Sequence, residues 1–247
     1  MLFKIICNIL IFDQEKRSKM KNLLLTLVIS CMSITAIFAQ LNEGQIAYKI
    51  DASSDTPEMQ MAIGMLQGST LNIFFKEKKT RSEMKMGSMM TVTTITDETS
   101  EDMLMLMSGM MGNNAIKSKL TDLQNEDGEE AELPEFEVTL VDESKVIEGY
   151  NCKKAIVTSE DGIASVFWYT QDIVVASKGQ NYLNSKVPGF PMQFEINNRG
   201  LKMTLTVTKV EQKLDKKKAA ELFNMTIPEG YTEMSQDDLK MMGGMGM

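Results

Sequence analysis

The sequence predicts a mainly β fold with short helices: one large curved antiparallel sheet, or an incomplete barrel, under a helical lid. Three observations predict it. About nine or ten stretches alternate apolar and polar residues with the period of a half-buried strand. Polar or glycine-containing turns separate most of them, which makes successive strands antiparallel neighbours. Only a few short stretches switch to helical periodicity, and an open sheet needs something to cover its apolar face.

The first 39 residues stand apart from this pattern. Lys16, Arg17, Lys19 and Lys21 form a basic region, Leu23–Phe38 an apolar one, and "AIFA" before Gln40 a small-residue exit, the organisation of a secretory leader. Met20 opens a complete leader by itself, which leaves Met1–Lys19 as an upstream stretch. Three fates of this segment are open: cleavage before Gln40, lipidation at Cys31 within the loose lipobox "VISC", or retention as an anchor barely long enough to span a bilayer. The reading is of an exported protein, in the periplasm or outer envelope of a Gram-negative-type bacterium. It touches a membrane only through a ligand or an N-terminal anchor. Residues 1–39 hold five basic and two acidic side chains, so without them the formal charge moves from −8 to −11. Nucleic acid is excluded as a partner, because its binding needs a basic face. Cys7 and Cys31 lie in the leader and Cys152 stands alone after it, so no internal disulfide is expected and stability rests on the core.

One domain is expected over 40–231. "GQIAYKIDAS" alternates at Ile46, Tyr48 and Ile50, a strand. "TPEMQMAIGMLQG" then turns helical: Thr56 can cap, Pro57 suits the first position, Met59, Ile63 and Leu66 share a face, and Gly68 can end it. "STLNIFFKE", "KTRSEMKM", "MTVTTITDE" and "EDMLMLM" read as four successive strands. Residues 113–135 are polar and acidic, with Pro134 near the end, and read as a mobile loop with a short helix at "IKSKLTDLQ". Strands resume with "EFEVTLVD", "GYNCKKAIVTS" and "IASVFWYT", the last two joined by a turn at Glu160-Asp161-Gly162. "MQFEINN" and "LKMTLTVTKVEQ" follow "VPGFP", "DKKKAAELF" reads as a helix, and 232–247 as a disordered Met/Gly-rich tail.

Chemistry is constrained by what is missing. The chain contains no histidine, so neither a Ser-His-Asp or Cys-His site nor a His-ligated metal is available. "SEMK" at Ser82–Lys85 has the serine–lysine spacing of penicillin-recognising enzymes, but it lies in an alternating strand and lacks the companion motifs. Cys152 reads as a small apolar core residue and Trp168 as a core or cavity-wall anchor. No cofactor is expected, and no catalytic residue is assigned.

The chain holds 23 methionines, which need a reading of their own. Met84 and Met86 share one strand face, as do Met103, Met105 and Met107, with Leu104 and Leu106 on the opposite face. A strand apolar on both sides is expected to be buried on both. Three readings are open: plain core, a deformable apolar cavity, for which flexible polarizable thioethers suit better than Leu or Ile, and a soft-metal site for Cu(I). The last fits the tail, at Met241, Met242, Met245 and Met247, better than the strands.

"VIEGYNCKKAIV" (Val146–Val157), "VFWYTQDI" (Val166–Ile173), "VPGFPMQFEI" (Val187–Ile196) and "FNMTIPEGY" (Phe223–Tyr231) together resemble an exported, uncharacterised bacterial family, domain of unknown function 4412. "GQIAYKI" and "KKTRSEMKMG" fit it too. That family is similar in architecture to the periplasmic lipoprotein-carrier (LolA-like) half-barrel, whose concave side holds acyl chains under helical lids. The resemblance implies a non-enzymatic envelope protein that takes a hydrophobic small molecule, a lipid or an apolar part of another envelope protein. Met84, Met86, Met103, Met105, Met107 and Trp168 are the expected lining, and Met59, Ile63 and Leu66 the underside of the lid. A ligand-free scaffold for protein contacts is the remaining alternative.

Overall fold

The computed structural model of the chain describes residues 40–110, 112–120, 136–175, 186–198 and 200–235. The leader with Cys31, the acidic stretch 121–135 and the methionines at 241, 242, 245 and 247 lie outside them. The strands in chain order are β1 (Gln40–Leu41), β2 (Glu43–Ser53), β3 (Thr70–Lys76), β4 (Lys79–Met86), β5 (Met90–Asp97), β6 (Asp102–Gly109) and β7 (Gly112–Lys119). They continue with β8 (Phe136–Ile147), β9 (Tyr150–Ser159), β10 (Ala164–Thr170), β11 (Val174–Val175), β12 (Phe190–Asn198), β13 (Leu201–Glu211) and β14 (Thr232–Glu233). Helix α1 is Gln60–Leu66, entered through a 3-10 turn at Pro57–Met59, and α2 is Lys216–Leu222.

Twelve strands form one open curved sheet in the order β14-β7-β6-β5-β4-β3-β2-β13-β12-β10-β9-β8, and β1 and β11 form a separate parallel pair. Every ladder of the large sheet is antiparallel except the two-residue pairing of β14 with β7. The mainly β expectation is therefore met. Tight turns supply the reversals: Glu148 and Gly149 both take positive φ between β8 and β9, the backbone a two-residue hairpin requires.

Two elements differ from the sequence reading. Residues 112–119 form β7 where a loop and short helix were expected. The adjacent Ala115 and Ile116 are both buried, so the strand is covered on both faces there and shows no alternation to read. Thr232–Glu233 likewise pair with Asn114 and Ala115, although the tail was expected to be structureless from 232.

Cross-strand partners lie on one face of a sheet, which allows the two faces to be followed from strand to strand. The inner face carries an unbroken row of partners, Ile50–Leu205–Phe194–Phe167–Ala155. With Ile46, Tyr48, Phe75 and Val207 these make the main core. Tyr48 packs edge-on to Phe194 with centroids 5.9 Å apart, and Phe194 stacks on Phe167 at 5.6 Å. The buried Tyr48 hydroxyl donates to the Pro191 carbonyl at 2.9 Å, and burial raises the phenol far above its ordinary range, so it stays a donor.

The outer face is covered differently. Ile95, Leu104, Leu106 and Ala115 form a second cluster against Met225, Ile227 and Tyr231, so the segment after α2 seals β5–β7 from outside. Asp215 caps α2 by accepting from the Lys217 and Lys218 amides. Arg81 fastens the other end of the helix: its guanidinium pairs with Glu83 at 2.6 Å and donates to the Leu222 carbonyl at 3.2 Å. At the far end of β5, Asp97 meets Lys79 at 2.7 Å.

Two expected outcomes follow from these contacts. Tyr48→Phe leaves the Pro191 carbonyl without its donor and should cost about 1–3 kcal/mol in chemical denaturation. The bond from Lys79 holds the Asp97 carboxyl below its ordinary value. A lowered folded-state value means that the stabilisation is complete above about pH 4 and is lost as pH falls through the depressed titration. Asp97→Asn should therefore lower the melting temperature at neutral pH and match the unaltered protein in strong acid. A constant difference across that range would contradict the assignment.

Candidate functional site

From β3 to β7 the ladders run without a register shift. Alternation therefore holds each residue on one face across four consecutive pairings. Met84 lies opposite Val92, Val92 opposite Met107, and Met86 opposite Met90. Met103 and Met105 share the face with Met107. The sheet thus brings Met84, Met86, Met103, Met105 and Met107 together on the inner face, and adds Met90, which the sequence reading does not single out. Met103 is buried, while Met84, Met86, Met90, Met105 and Met107 are half-buried. Burial on both sides was expected of β6. Instead Leu104 and Leu106 are sealed under Met225, Ile227 and Tyr231, and the methionines opposite them line a partly open wall.

This wall carries no charge. Every ionisable side chain of β4–β7, from Lys79 to Lys119, falls on the outer face by the same alternation. Ser82 and Lys85 consequently point to opposite sides of β4, which removes the serine–lysine pair.

Helix α1 stands between β2 and β3 at the methionine end of the wall. Met59, Ile63 and Leu66 are half-buried, Met61 is 73% exposed, and no side chain of the helix is fully buried. Its flanks hold it instead. The buried Ser69 hydroxyl donates to the Leu66 carbonyl at 2.6 Å and accepts from the Gly87 amide at 2.9 Å. Gly87 has φ +52 and a Cβ there would meet the Met65 carbonyl oxygen at 1.9 Å, so the β4–β5 turn docks against the helix through bare backbone. At the entry Ser54 donates to the Gly200 carbonyl at 2.6 Å. A seven-residue helix without a buried face is marginal alone.

Trp168 is not part of the wall. It pairs with Lys154 and Gln193 in the other half of the sheet, and its half-buried ring packs against the main core. Val166–Tyr169 is an apolar run and gives no phase; only the partners show where Trp168 lies. The Lys145 and Lys154 ammoniums stand 4.1 and 5.8 Å from the ring centroid. Burial holds the Lys145 ammonium below its ordinary value. Cys152, the cross-strand partner of Lys145, is free and buried, and burial pushes its thiol up.

A groove of about 910 Å³ opens under α2, lined by Gln45, Phe74, Glu83, Lys209, Asp215 and Leu222 among others. Its charges are of both signs, and Lys209 is already paired with Glu211 at 2.6 Å. Among the described residues no group of three or more His, Cys, Asp or Glu side chains could hold a metal, and no helix is long and apolar enough to cross a membrane.

A family model described as a domain of unknown function, DUF4412, matches residues 56–231. The chain belongs to the DUF4412 family. No curated protein matches it in sequence. Among solved structures, PNGF-II is similar over 81% of this DUF4412 chain at 15% identity and a TM-score of 0.43. The chain spans about a third of that protein's length, 32%. An uncharacterised conserved protein of Thermus thermophilus is similar at 11% identity and a TM-score of 0.46, over 78% of this chain and 91% of its own. The lipoprotein LppX of Mycobacterium tuberculosis is similar at 8% identity and a TM-score of 0.36, over 74% and 93%.

The state of Cys152 can be checked directly. Thiolate is the reactive form, and a raised value depletes it. A thiol reagent at neutral pH should leave Cys152 unmodified in the folded protein and label it fully after denaturation.

Proposed function

We propose that this protein is a non-enzymatic exported envelope protein that binds a hydrophobic ligand against the inner face of β4–β7, with α1 as its lid. An acyl chain, a lipoprotein anchor or an apolar segment of another envelope protein fits the surface. One observation carries the reading. The wall of Met84, Met86, Met105 and Met107 is neutral, half-buried and continuous with the main core through Leu71, the partner of Met84, whereas the outer face of β5–β7 is closed by the chain's own Met225, Ile227 and Tyr231. Thioethers with three rotatable bonds adapt to chains of differing shape. Affinity would come from apolar burial at roughly 25 cal/mol per Å², reduced by the cost of ordering the ligand and the lid. The leader-like first 39 residues support a location in the periplasm or outer envelope.

Native mass spectrometry of protein isolated from the envelope is expected to show a lipid-sized adduct. Met105→Asp or Met107→Asp puts a carboxylate in the middle of the wall and should weaken binding of a fatty-acyl probe at least about tenfold. Bare polypeptide mass together with no probe binding would sink the proposal.

A further inference from the structure

Along β4 and β5 the wall has a polarity gradient, while on β6 and β7 the same rungs carry Met103 with Ser118, Met105 with Ile116 and Met107 with Asn114. Its rungs on β4 and β5 are Thr80 opposite Thr96, Ser82 opposite Thr94, Met84 opposite Val92, and Met86 opposite Met90. Two hydroxyl rungs give way to two apolar rungs over six residues, a distance of about 20 Å at the rise of a strand. β6 and β7 extend the first rung with Met103 and then Ser118. Ser118 Oγ is buried and has no hydrogen-bond partner among the described residues. A buried hydroxyl in that state is destabilising unless something supplies the missing bond, and it marks the hydroxyl end as the place where a polar group of a ligand would sit.

The nature of that polar group follows from charge. With every ionisable side chain of β4–β7 on the outer face and a formal net charge of −8, a carboxylate or phosphate at the hydroxyl end would lose water and find no cation. An ester or hydroxyl head exchanges hydrogen bonds with Ser and Thr hydroxyls and carries no such penalty. We infer that the wall takes an amphiphile with an uncharged, hydrogen-bonding head of the glycerol-ester class, its head at Thr96 and Ser118 and its chain along Met84, Met86, Met90 and Met107. The inference rests on the hydrophobic-ligand reading and adds the class and the orientation of the ligand.

The test is displacement of the apolar fluorophore N-phenyl-1-naphthylamine from the purified protein at pH 8 by 1-monopalmitoylglycerol and by palmitate, each below its aggregation concentration. The monoglyceride should displace at least about tenfold more effectively than the carboxylate. Ser118→Ala combined with Thr96→Val should shrink that ratio about five- to tenfold, the worth of roughly one hydrogen bond, each ratio being taken relative to the variant's own fluorophore affinity. Thr94→Val alone should shrink it in the same direction, and the ratio in the unaltered protein is decisive whether or not the double variant folds. Equal or stronger displacement by palmitate overturns the inference while leaving the hydrophobic-ligand reading intact. So does a ratio indifferent to the substitutions. Failure of the fluorophore and both lipids to bind overturns the two together.

Discussion

Everything distinctive about this molecule depends on an uninterrupted register across five adjacent strands. Between β3 and β7 no bulge intervenes, whereas shifts occur in the β13–β2, β10–β12 and β8–β9 ladders. Side chains alternate with a period of two, so a slip of one residue in any of these four pairings would carry lysines and aspartates onto the methionine face and leucines into their place. The separation of a neutral wall from a charged, strapped exterior is a property of the pairing as much as of composition. Cross-strand ion pairs such as Lys79–Asp97 and Lys119–Asp102, at 2.7 and 2.6 Å, sit at one end of these ladders and favour the correct alignment.

The two faces of β6 show how one strand serves two purposes. Leu104 and Leu106 hold the C-terminal segment, and their burial is that of ordinary core. Met105 between them, with Met107, lies half-buried on the opposite face. Leucine's better-defined rotamers suit the first task and methionine's flexibility the second.

Much of this was legible in the sequence. Alternation at Ile46, Tyr48 and Ile50 or at Met103, Met105 and Met107 shows a strand directly, and the shared face of Met59, Ile63 and Leu66 shows the short helix. Illegible parts share a cause: they depend on which elements lie on top of which. β7 looks like polar loop because Ala115 and Ile116 are neighbours buried on opposite sides, and nothing local announces that Met225, Ile227 and Tyr231 return to cover one of them. Trp168 sits in a run without alternation, so its face is decided by Gln193 and Lys154, distant in sequence or on another strand. The hydroxyl rungs were equally hidden, since Thr96 and Ser118 come into line only through Met103.

The short parallel pairing of β14 with β7 bears on how the molecule avoids pairing with its own copies. A twelve-stranded open sheet has two margins, each able to recruit a strand from another chain. At one margin β8 carries Asp142, Glu143 and Lys145 around a bulge, which spoils any continuous edge. At the other, Thr232 and Glu233 are laid along β7 by the same segment that seals Leu104 and Leu106, so margin and apolar face are guarded together. Cutting the chain after Leu222 would therefore uncover two adhesive surfaces in one step, and the expected product is a polymer.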